Sequence, residues 1–355
     1  MAQLKFSFSK INANWKKTKN FFVSYDLLEI FDAKNKELTH LYFEDRNSII
    51  YGQHFNISFE KASNYLKNSI FIKYLFKFFN VQTLFLTNSF FTNVPSYEIN
   101  DNINLNKLIQ YISNKINFFL IVIPADLFEK FNSCENNDFT KIEIEDDMFL
   151  KINKSWKDSS DYINSLKTKY RKKINIIIKK SSCLRTDEIG QENFSYYSEK
   201  MQTLFDQIID SSSFNGPKFN VETLNLMIKK KFCKVYGYFL NDSLIGFSSI
   251  ICYENKLYSY YVGFDRKLNH KFSIYGKILF DSINYAIAKQ LSHVVYGRTA
   301  NEYKSNFGAI PKTSYIYIKA KNNIINNLLK FIFRKIRKKN WILRKPFKSV
   351  NLNEK

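Results

Sequence analysis

The residues best suited to chemistry lie just beyond an apolar run, Val294 to Thr299, in the last third of the chain. Arg298 stands near the end of this run, and Asn301 and Lys304 follow it closely. The run has the β-branched and aromatic composition of a strand. Ligands in open α/β sheets bind at the carboxyl ends of strands. We therefore expect Arg298, Asn301 and Lys304 to position a substrate or a cofactor.

Three predicted strands precede these residues. Val235–Leu240, Leu244–Tyr253 and Leu257–Phe264 are rich in aromatic and β-branched residues, and short polar turns separate them. In the third run, alternate residues fall on opposite faces, as they do in a strand. The sequence therefore predicts an antiparallel meander.

The segment that follows the meander has a helical period. Phe272, Tyr275, Leu279 and Ile283 recur at helical spacing on one face. Ser273 is a candidate N-cap, because its hydroxyl can accept a hydrogen bond from the first-turn amides. A helix that joins two strands of one sheet indicates a parallel crossover.

The order of meander, crossover helix, strand, short helix and strand resembles that of the GNAT N-acyltransferases. Residues 301–308, Asn-Glu-Tyr-Lys-Ser-Asn-Phe-Gly, are similar to the family's Asn…Tyr-x-x-x-Gly-Phe region. With Gly-Arg-Thr at 297–299, the segment resembles the GNAT-like domain of the Fem-type and cellulose-synthesis-associated acyltransferases. A basic helix from Asp158 matches the first helix of those proteins. The resemblance covers residues 155–321 and implies a GNAT-like, mixed α/β fold.

This resemblance implies acyl-CoA as a cosubstrate. In the family, the pantetheine arm pairs with a strand edge, here Tyr260 to Phe264, and the pyrophosphate meets the start of the crossover helix. The cofactor-binding residues implied in this way are Tyr260, Tyr261, Gly263, Lys271, Ser273, Tyr275 and Gly276. Residues 265–276, where the family carries a glycine-rich loop, include a single glycine. Lys267 and Lys271 could replace the missing amide contacts by charge.

The same resemblance implies catalytic roles. Acyl transfer from a thioester to an amine needs a neutral amine, a donor for the oxyanion and a proton for the leaving thiolate. Tyr303 occupies the position of the family's leaving-group tyrosine. Asp265 and Glu302 are the candidate general bases, and the alternative is a chain of water molecules.

The chain is long enough for two domains. Its 355 residues are 45% hydrophobic, which can fill two cores. We predict a degenerate GNAT-like α/β lobe over 1–150, a GNAT-like acyltransferase lobe over 151–322 and a basic helical tail over 323–355. An unrelated substrate-binding domain is the alternative for the first lobe.

The first lobe shows its own alternation of helical and strand patterns. Helices are predicted over Ser58–Phe79 and Leu105–Ile116, and strands over Val81–Leu86 and Phe118–Ile123. Phe139–Ile152 resembles a pair of strands that leads out of the lobe. This order repeats that of the second lobe without its motif, which favours two tandem lobes.

Basic residues raise the formal net charge to +22 and are dense in two segments. The predicted helix Asp158–Lys180 has an apolar stripe and a basic face, which is either a solvated surface or a contact for an anionic ligand. The tail from Asn323 combines an apolar stripe with Arg and Lys, as helices at membrane surfaces do. The alternative is a helix packed on the catalytic lobe.

Other kinds of site and location are not indicated. The four Cys form no Cys-x-x-Cys pair and the four His show no ligand spacing, so we predict free thiols and no metal site. No apolar run reaches the ~18–20 residues that cross a bilayer, and the amino terminus lacks the ~7–15-residue apolar core of a signal peptide. We expect a cytoplasmic protein, with the tail as a peripheral contact to the inner face of the membrane.

Three functions agree with these patterns. The first is transfer of an acyl group from acyl-CoA to an amino group of a sugar, lipid or cell-wall precursor. The second is Fem-type transfer from aminoacyl-tRNA, which the positive charge favours. The third is a non-catalytic protein that binds RNA or a membrane surface through its basic tail.

Overall fold

The computed structural model describes residues 3–5, 14–45, 48–58, 80–100, 103–131, 138–210, 216–333 and 340–348. Its strands are β1 Gln3–Lys5, β2 Thr39–Asp45, β3 Ser48–Ser58, β4 Asn80–Phe85, β5 Tyr97–Glu98, β6 Leu120–Pro124, β7 Thr140–Lys151, β8 Leu184–Glu188, β9 Lys234–Leu240, β10 Ser243–Tyr253, β11 Lys256–Phe264, β12 His293–Gly297 and β13 Ile310–Ala320. Strands and helices alternate along most of the chain, so the predicted mixed α/β fold is confirmed.

The helices are short or of moderate length. They are α1 Asn14–Lys17, α2 Tyr25–Lys34, α3 Leu105–Ser113, α4 Ala125–Phe128, α5 Ser159–Ser165, α6 Thr168–Lys180, α7 Gln191–Asp210, α8 Glu222–Lys229, α9 Arg266–Phe272, α10 Ile274–Ala288, α11 Asn301–Ser305 and α12 Asn323–Phe333, with a 3-10 helix over Phe21–Val23. In the described part of the chain, none of them is long and apolar enough to cross a membrane.

The chain divides into two compact units, and neither unit is one continuous stretch. The first unit comprises residues 1–145, 213–223 and 313–339. The second comprises residues 146–212, 224–312 and 340–355. The predicted tandem GNAT-like lobes over 1–150 and 151–322 correspond only roughly to these two units.

The second unit is built on a mixed sheet with the strand order β7-β12-β11-β10-β9-β8. The neighbours from β8 to β11 are antiparallel, which confirms the predicted meander. β12 joins β11 in parallel, and α10 connects them, so the predicted crossover is confirmed. Leu279 and Ile283 of α10 pack with Leu257 and Val294 of these strands in one buried core, which holds the helix against the sheet.

The first unit has the strand order β1-β2-β3-β4-β6-β13, and β5 pairs with β3. β4 and β6 are parallel, and α3 lies between them in sequence. These elements confirm the three patterns predicted over Val81–Leu86, Leu105–Ile116 and Phe118–Ile123. Leu84 and Leu108 lie together in the core of this unit. The helix predicted over 58–79 falls outside the described residues from 59 onward.

Two predicted elements are wrong. Phe139–Ile152 is a single strand, β7, because the acidic residues in its middle continue the extended backbone instead of turning it. The helix predicted over Asp158–Lys180 is two helices, α5 and α6. The break falls at Leu166, which bridges to Phe347, while the amide of Lys167 donates to the carbonyl of Pro346 at 2.8 Å. A pairing with a distant segment thus ends the first helix.

The basic tail divides between the two units. Ile325, Leu329 and Ile332 of α12 pack in a core cluster of the first unit. Residues 340–348 belong to the second unit, where Trp341 and Phe347 pack against its core. The tail therefore contributes to both cores.

Candidate active site

β11 and β12 pair over only the first part of their length. Their parallel register runs from Lys256 opposite His293 to Tyr258 opposite Val295. β11 then continues to Phe264. Among the described residues, that later part of β11 has no ladder pairing with β12, so the two strands diverge. In the described part of the chain, β12 therefore does not cover this edge of β11 beyond Tyr258.

A cavity of about 130 Å³ lies where the strands diverge. β11, the end of β12, α7 and α10 all contribute to its wall. Of the residues predicted from the sequence, the wall includes Tyr260, Tyr261, Tyr275, Arg298 and Lys304. The fold therefore brings together groups that are spread over more than forty positions of the chain.

Arg298 forms an ion pair with a carboxylate that the sequence analysis did not single out. Its Nε lies 3.3 Å from Oδ2 of Asp147, a β7 residue with no solvent exposure. Arg298 itself is about one-third exposed and lines the cavity. A buried carboxylate needs a compensating charge. Asp147 therefore holds the guanidinium at the cavity wall.

Asn301 is buried beside the same strand. Its Nδ2 donates a hydrogen bond to the carbonyl of Asp146 at 3.3 Å. Its Oδ1 is buried and has no hydrogen-bond partner within the described part of the chain. A buried acceptor without a partner is uncommon, and it is available to an N–H or O–H group of a ligand.

Lys304 is buried, and its ammonium group is hydrogen-bonded to the backbone of β12 and of the residue that follows β12. Its Nζ donates to the carbonyls of Tyr296, Gly297 and Arg298 at 2.9, 3.1 and 2.7 Å. These three bonds use the donors of the ammonium group. The cation therefore fixes the backbone that carries Arg298.

Tyr303 stacks on a tyrosine of the cavity wall. The rings of Tyr303 and Tyr275 lie 5.5 Å apart at an angle of 25°. A Cβ at Gly276 would come within 2.8 Å of the Tyr303 hydroxyl, so a larger residue there would displace this hydroxyl. Burial raises the pKa of Tyr303. Its phenol therefore keeps its proton at neutral pH and can act as a donor.

The predicted strand edge is packed against α7. Tyr261 meets Phe205 of α7 edge to face, with ring centroids 5.1 Å apart. A Cβ at Gly263 would lie 2.7 Å from the backbone nitrogen of Phe205. Glycine thus lets the helix backbone approach β11. Burial raises the pKa of Tyr260, which also lines the cavity, well above its usual value.

The start of α10 differs from the predicted phosphate loop, because a second helix, α9, occupies the segment. Asp265 caps α9 by accepting hydrogen bonds from the amides of Lys267 and Leu268 at 2.9 and 3.0 Å. Ser273 is the N-cap residue of α10, but its hydroxyl makes no cap hydrogen bond and its φ is +50°. The amide of Tyr275 donates to a side chain, Oδ1 of Asn269, at 2.9 Å.

These hydrogen bonds test the fit of acyl-CoA. A pyrophosphate at a helix start needs amides that are free to donate. The amides of Ser273 and Tyr275 already donate to the carbonyl and the side chain of Asn269. Two of the amides at this helix start are therefore already used. Exposed cations precede it in sequence, among them Lys267 and Lys271. The part of β11 that diverges from β12, in contrast, suits an extended amide-bearing arm.

Glu302 lies in α11 and forms an ion pair with Arg344. The hydrogen bond that Arg344 donates in this pair lowers the pKa of the Glu302 carboxyl. The amide of Arg344 also donates to the hydroxyl of Ser305 at 3.1 Å. The pair thus joins residues 340–348 to α11, and neither Glu302 nor Asp265 lines the cavity.

The residues missed by the sequence analysis are Asp146 and Asp147. Both are buried, and both contact a predicted site residue. The available signal was the acidic pair in the otherwise apolar end of Phe139–Ile152. Within the described residues, no group of His, Cys, Asp and Glu is arranged to hold a metal ion.

Comparisons with solved structures show a shared fold. The L-PGS of Bacillus licheniformis matches with a TM-score of 0.53 and 9% identity, over 88% of this chain and 96% of that chain. A conserved protein of unknown function from Bacteroides thetaiotaomicron matches with a TM-score of 0.51 and 11% identity, over 90% of this chain and 99% of that chain. FemX matches with a TM-score of 0.48 and 9% identity, over 93% of this chain and 100% of that chain. A search of curated proteins found no match.

A family model matches the stretch that carries the cavity. Residues 200–305 match the acetyltransferase (GNAT) domain. This stretch includes the diverging strands β11 and β12, the crossover helix α10 and the short helix α11. The chain therefore contains a GNAT-type acetyltransferase domain and is an acyltransferase.

Proposed function

We propose that this acyltransferase moves an acyl group from acyl-CoA to an amino group of a sugar, lipid or cell-wall precursor. The observation that carries the proposal is the divergence of β11 from β12 beside a cavity lined by Arg298. An extended donor can form backbone hydrogen bonds along such a strand. The acyl carbon would then lie in the cavity.

Arg298 at the cavity wall, and Asn301 and Tyr303 in the helix that follows it, have distinct tasks in this proposal. Arg298, fixed by Asp147, positions the polar part of the substrate. Asn301 offers its buried oxygen to an N–H group, which suits an amine acceptor. Tyr303 supplies a proton to the leaving group. Because Asp265 caps a helix and Glu302 pairs with Arg344, we assign deprotonation of the amine to water.

The second candidate is Fem-type transfer from aminoacyl-tRNA. The occupied amides at the start of α10 favour it over acyl-CoA. The exposed basic residues of α6, among them Lys169, Lys172 and Lys179, suit contact with a nucleic-acid backbone. In this case the donor's phosphates would contact α6.

Two donor titrations separate the candidates. Acetyl-CoA, a longer acyl-CoA and free coenzyme A are compared with aminoacyl-tRNA by thermal shift, since ligand at ~100 times its dissociation constant adds ~2.7 kcal/mol to stability. Acyl-CoA binding that weakens in Lys267→Ala/Lys271→Ala but not in the exposed control Lys289→Ala supports the first candidate. Binding of aminoacyl-tRNA alone, weakened in Lys169→Ala/Lys172→Ala, supports the second. No binding of either donor would overturn both.

We also propose that α12 docks on an anionic membrane surface at the inner face of the membrane. Ile324, Leu328 and Phe331 lie at helical spacing, and each is more than half exposed. Arg334, Lys335, Arg337, Lys338 and Lys339 follow in sequence. An apolar row beside basic residues is the pattern of an interfacial helix. This proposal concerns location and does not depend on the donor.

Vesicle sedimentation tests the docking. Phosphatidylcholine vesicles are compared with vesicles that also contain phosphatidylglycerol. We expect binding only to the anionic vesicles and its loss in Ile324→Ser/Leu328→Ser. Ile325→Val, which changes a residue on the packed face, is the matched control and should bind normally. Equal binding to neutral vesicles, or an unaffected double variant, would contradict the proposal.

A further inference from the structure

The second unit has another, larger cavity. It measures about 380 Å³ and lies between α10 and the strands β8, β9 and β10. The α10 side chains at its wall include Lys277, Asp281 and Asn284. Those at the first cavity are Tyr275 and Leu279. At 3.6 residues per turn, these two sets lie on opposite sides of the helix. The second cavity is therefore separate from the reacting groups.

The polar part of this cavity is electrically balanced. Nζ of Lys277 lies 3.0 Å from Oδ2 of Asp281, and both side chains are largely buried. Burial raises the pKa of the Asp281 carboxyl, while Lys277 acts against this change. The hydroxyls of Tyr238 and Ser248 lie 3.3 Å apart at the same wall. The cavity thus contains donors and acceptors without an excess charge.

Asn284 provides an acceptor that is not used within the described residues. Its Oδ1 is buried and has no hydrogen-bond partner there. Leaving a buried acceptor without a partner costs about 1–3 kcal/mol, so such groups are usually paired when the protein is in its working state. A ligand that donates a hydrogen bond would satisfy it.

Aromatic rings form another part of the wall. Tyr236 and Tyr285 meet at 62°, with ring centroids 6.4 Å apart. Burial raises the pKa of Tyr236 and of Tyr285, so both phenols stay protonated and neutral. The faces of such rings carry partial negative charge and favour polarised C–H groups. Their hydroxyls can both donate and accept.

We propose that this cavity binds a neutral, polyhydroxylated small molecule of about monosaccharide size. Its volume falls at the lower end of the range for small-molecule sites, about 300–1,000 Å³. The ion pair of Lys277 and Asp281 has no net charge, so it gives neither a cation nor an anion a net attraction. Hydroxyl groups, which donate to Asn284 and accept from tyrosine, match the mixed wall, and a sugar ring presents C–H groups to the aromatic faces.

The experiment measures binding of free sugars to the whole chain by saturation-transfer NMR and calorimetry. The probes are D-glucose, D-galactose and N-acetyl-D-glucosamine, with ethanolamine and inorganic phosphate as charged comparisons. Ala288→Trp fills the mouth of the cavity, because Ala288 is exposed and lies at its wall. Lys289→Trp adds the same bulk at the next exposed position and is the matched control.

We expect at least one sugar to bind saturably, with a dissociation constant raised about tenfold or more in Ala288→Trp and within about twofold of the parent in Lys289→Trp. Arg298→Lys, in the other cavity, should leave sugar binding unchanged. The proposal is overturned if no sugar binds saturably, or if Ala288→Trp binds as the parent does. Binding of ethanolamine or phosphate, sensitive to Ala288→Trp, in place of sugar would also overturn it.

Discussion

The ammonium of Lys304 donates a hydrogen bond to the carbonyl of Arg298 at 2.7 Å. The lysine expected to contact a substrate is thus engaged with the backbone of the arginine beside the cavity. Asp147 holds the guanidinium of the same arginine at its other end. Arg298 is therefore fixed at both its backbone and its side chain, which preorganises the cavity wall.

Replacing Lys304 should destabilise the protein strongly. Lys304→Met leaves the carbonyls of Tyr296, Gly297 and Arg298 without their donor, and we expect a loss of about 2–4 kcal/mol in the free energy of unfolding. Urea denaturation with an unchanged m-value measures it. Lys289→Met, at an exposed position, is the control and should stay within about 0.5 kcal/mol.

The pair of Arg298 and Asp147 should behave as one unit. Arg298→Met removes a cation from beside a buried carboxylate, and we expect a cost of about 3 kcal/mol in the free energy of unfolding. Adding Asp147→Asn removes that charge, so the double variant should be more stable than the sum of the two single changes predicts. Strict additivity in a urea-denaturation cycle would show that the two side chains act independently.

Tyr303→Phe should lower kcat about 100-fold and leave the melting temperature unchanged, because it removes only the proton donor. Burial raises the pKa of Tyr303 above the usual 10.0. The parent enzyme should therefore keep its proton donor up to pH values beyond that figure. The exposed Tyr196 offers the control Tyr196→Phe. A variant at Tyr303 with full kcat would remove this residue from the mechanism.

Two glycines should respond differently to alanine. At Gly263 the new Cβ would lie 2.7 Å from the backbone nitrogen of Phe205, which cannot move without shifting α7. We expect Gly263→Ala to cost about 3 kcal/mol. At Gly190 the nearest atoms belong to the flexible carboxylate of Glu192, so Gly190→Ala should cost little. Melting curves of the two variants make the comparison, and equal losses would contradict it.

The stability of the protein should fall as the pH decreases through the range where histidine titrates. His40 is buried between the Tyr51 hydroxyl, 2.6 Å from Nδ1, and the carbonyl of Asn35, 3.1 Å from Nε2. Burial lowers its pKa from 6.5, while Asp32 acts against this change. Because the folded pKa is the lower one, the unfolded chain binds a proton first. The stabilisation is therefore complete above pH 6.5 and is lost below it.

Urea midpoints at several pH values measure this effect. Burial also lowers the pKa of His54 and His293, so the test compares the parent with His40→Gln. As the pH falls, this variant should lose less stability than the parent, by about 1.4 kcal/mol for each unit by which the folded and unfolded pKa of His40 differ. His270→Gln, at an exposed position, is the control and should keep the parent slope. Identical slopes in parent and His40→Gln would exclude His40 as the cause.

Local patterns predicted most of the second unit's sheet and crossover, because alternation and helical spacing act over a few residues. Val235–Leu240 and Leu257–Phe264 each differ from the observed strands by one residue at the amino-terminal end. The helix α9 was not predicted, since its seven residues carry no clear apolar period. The break between α5 and α6 depends on the hydrogen bond from Lys167 to Pro346. The ion pair of Arg298 depends on Asp147. Such long-range contacts leave no local pattern.

Residues 340–348 also affect the biosynthesis of the protein. Phe347 bridges to Leu166, and its ring packs so close to Gly308 that a Cβ there would clash with it. During translation, α5 and α6 emerge from the ribosome long before this segment does. Their contact surface remains uncovered until residues 340–348 are made. The nascent second unit therefore exposes apolar groups until then, a state in which chaperones commonly bind.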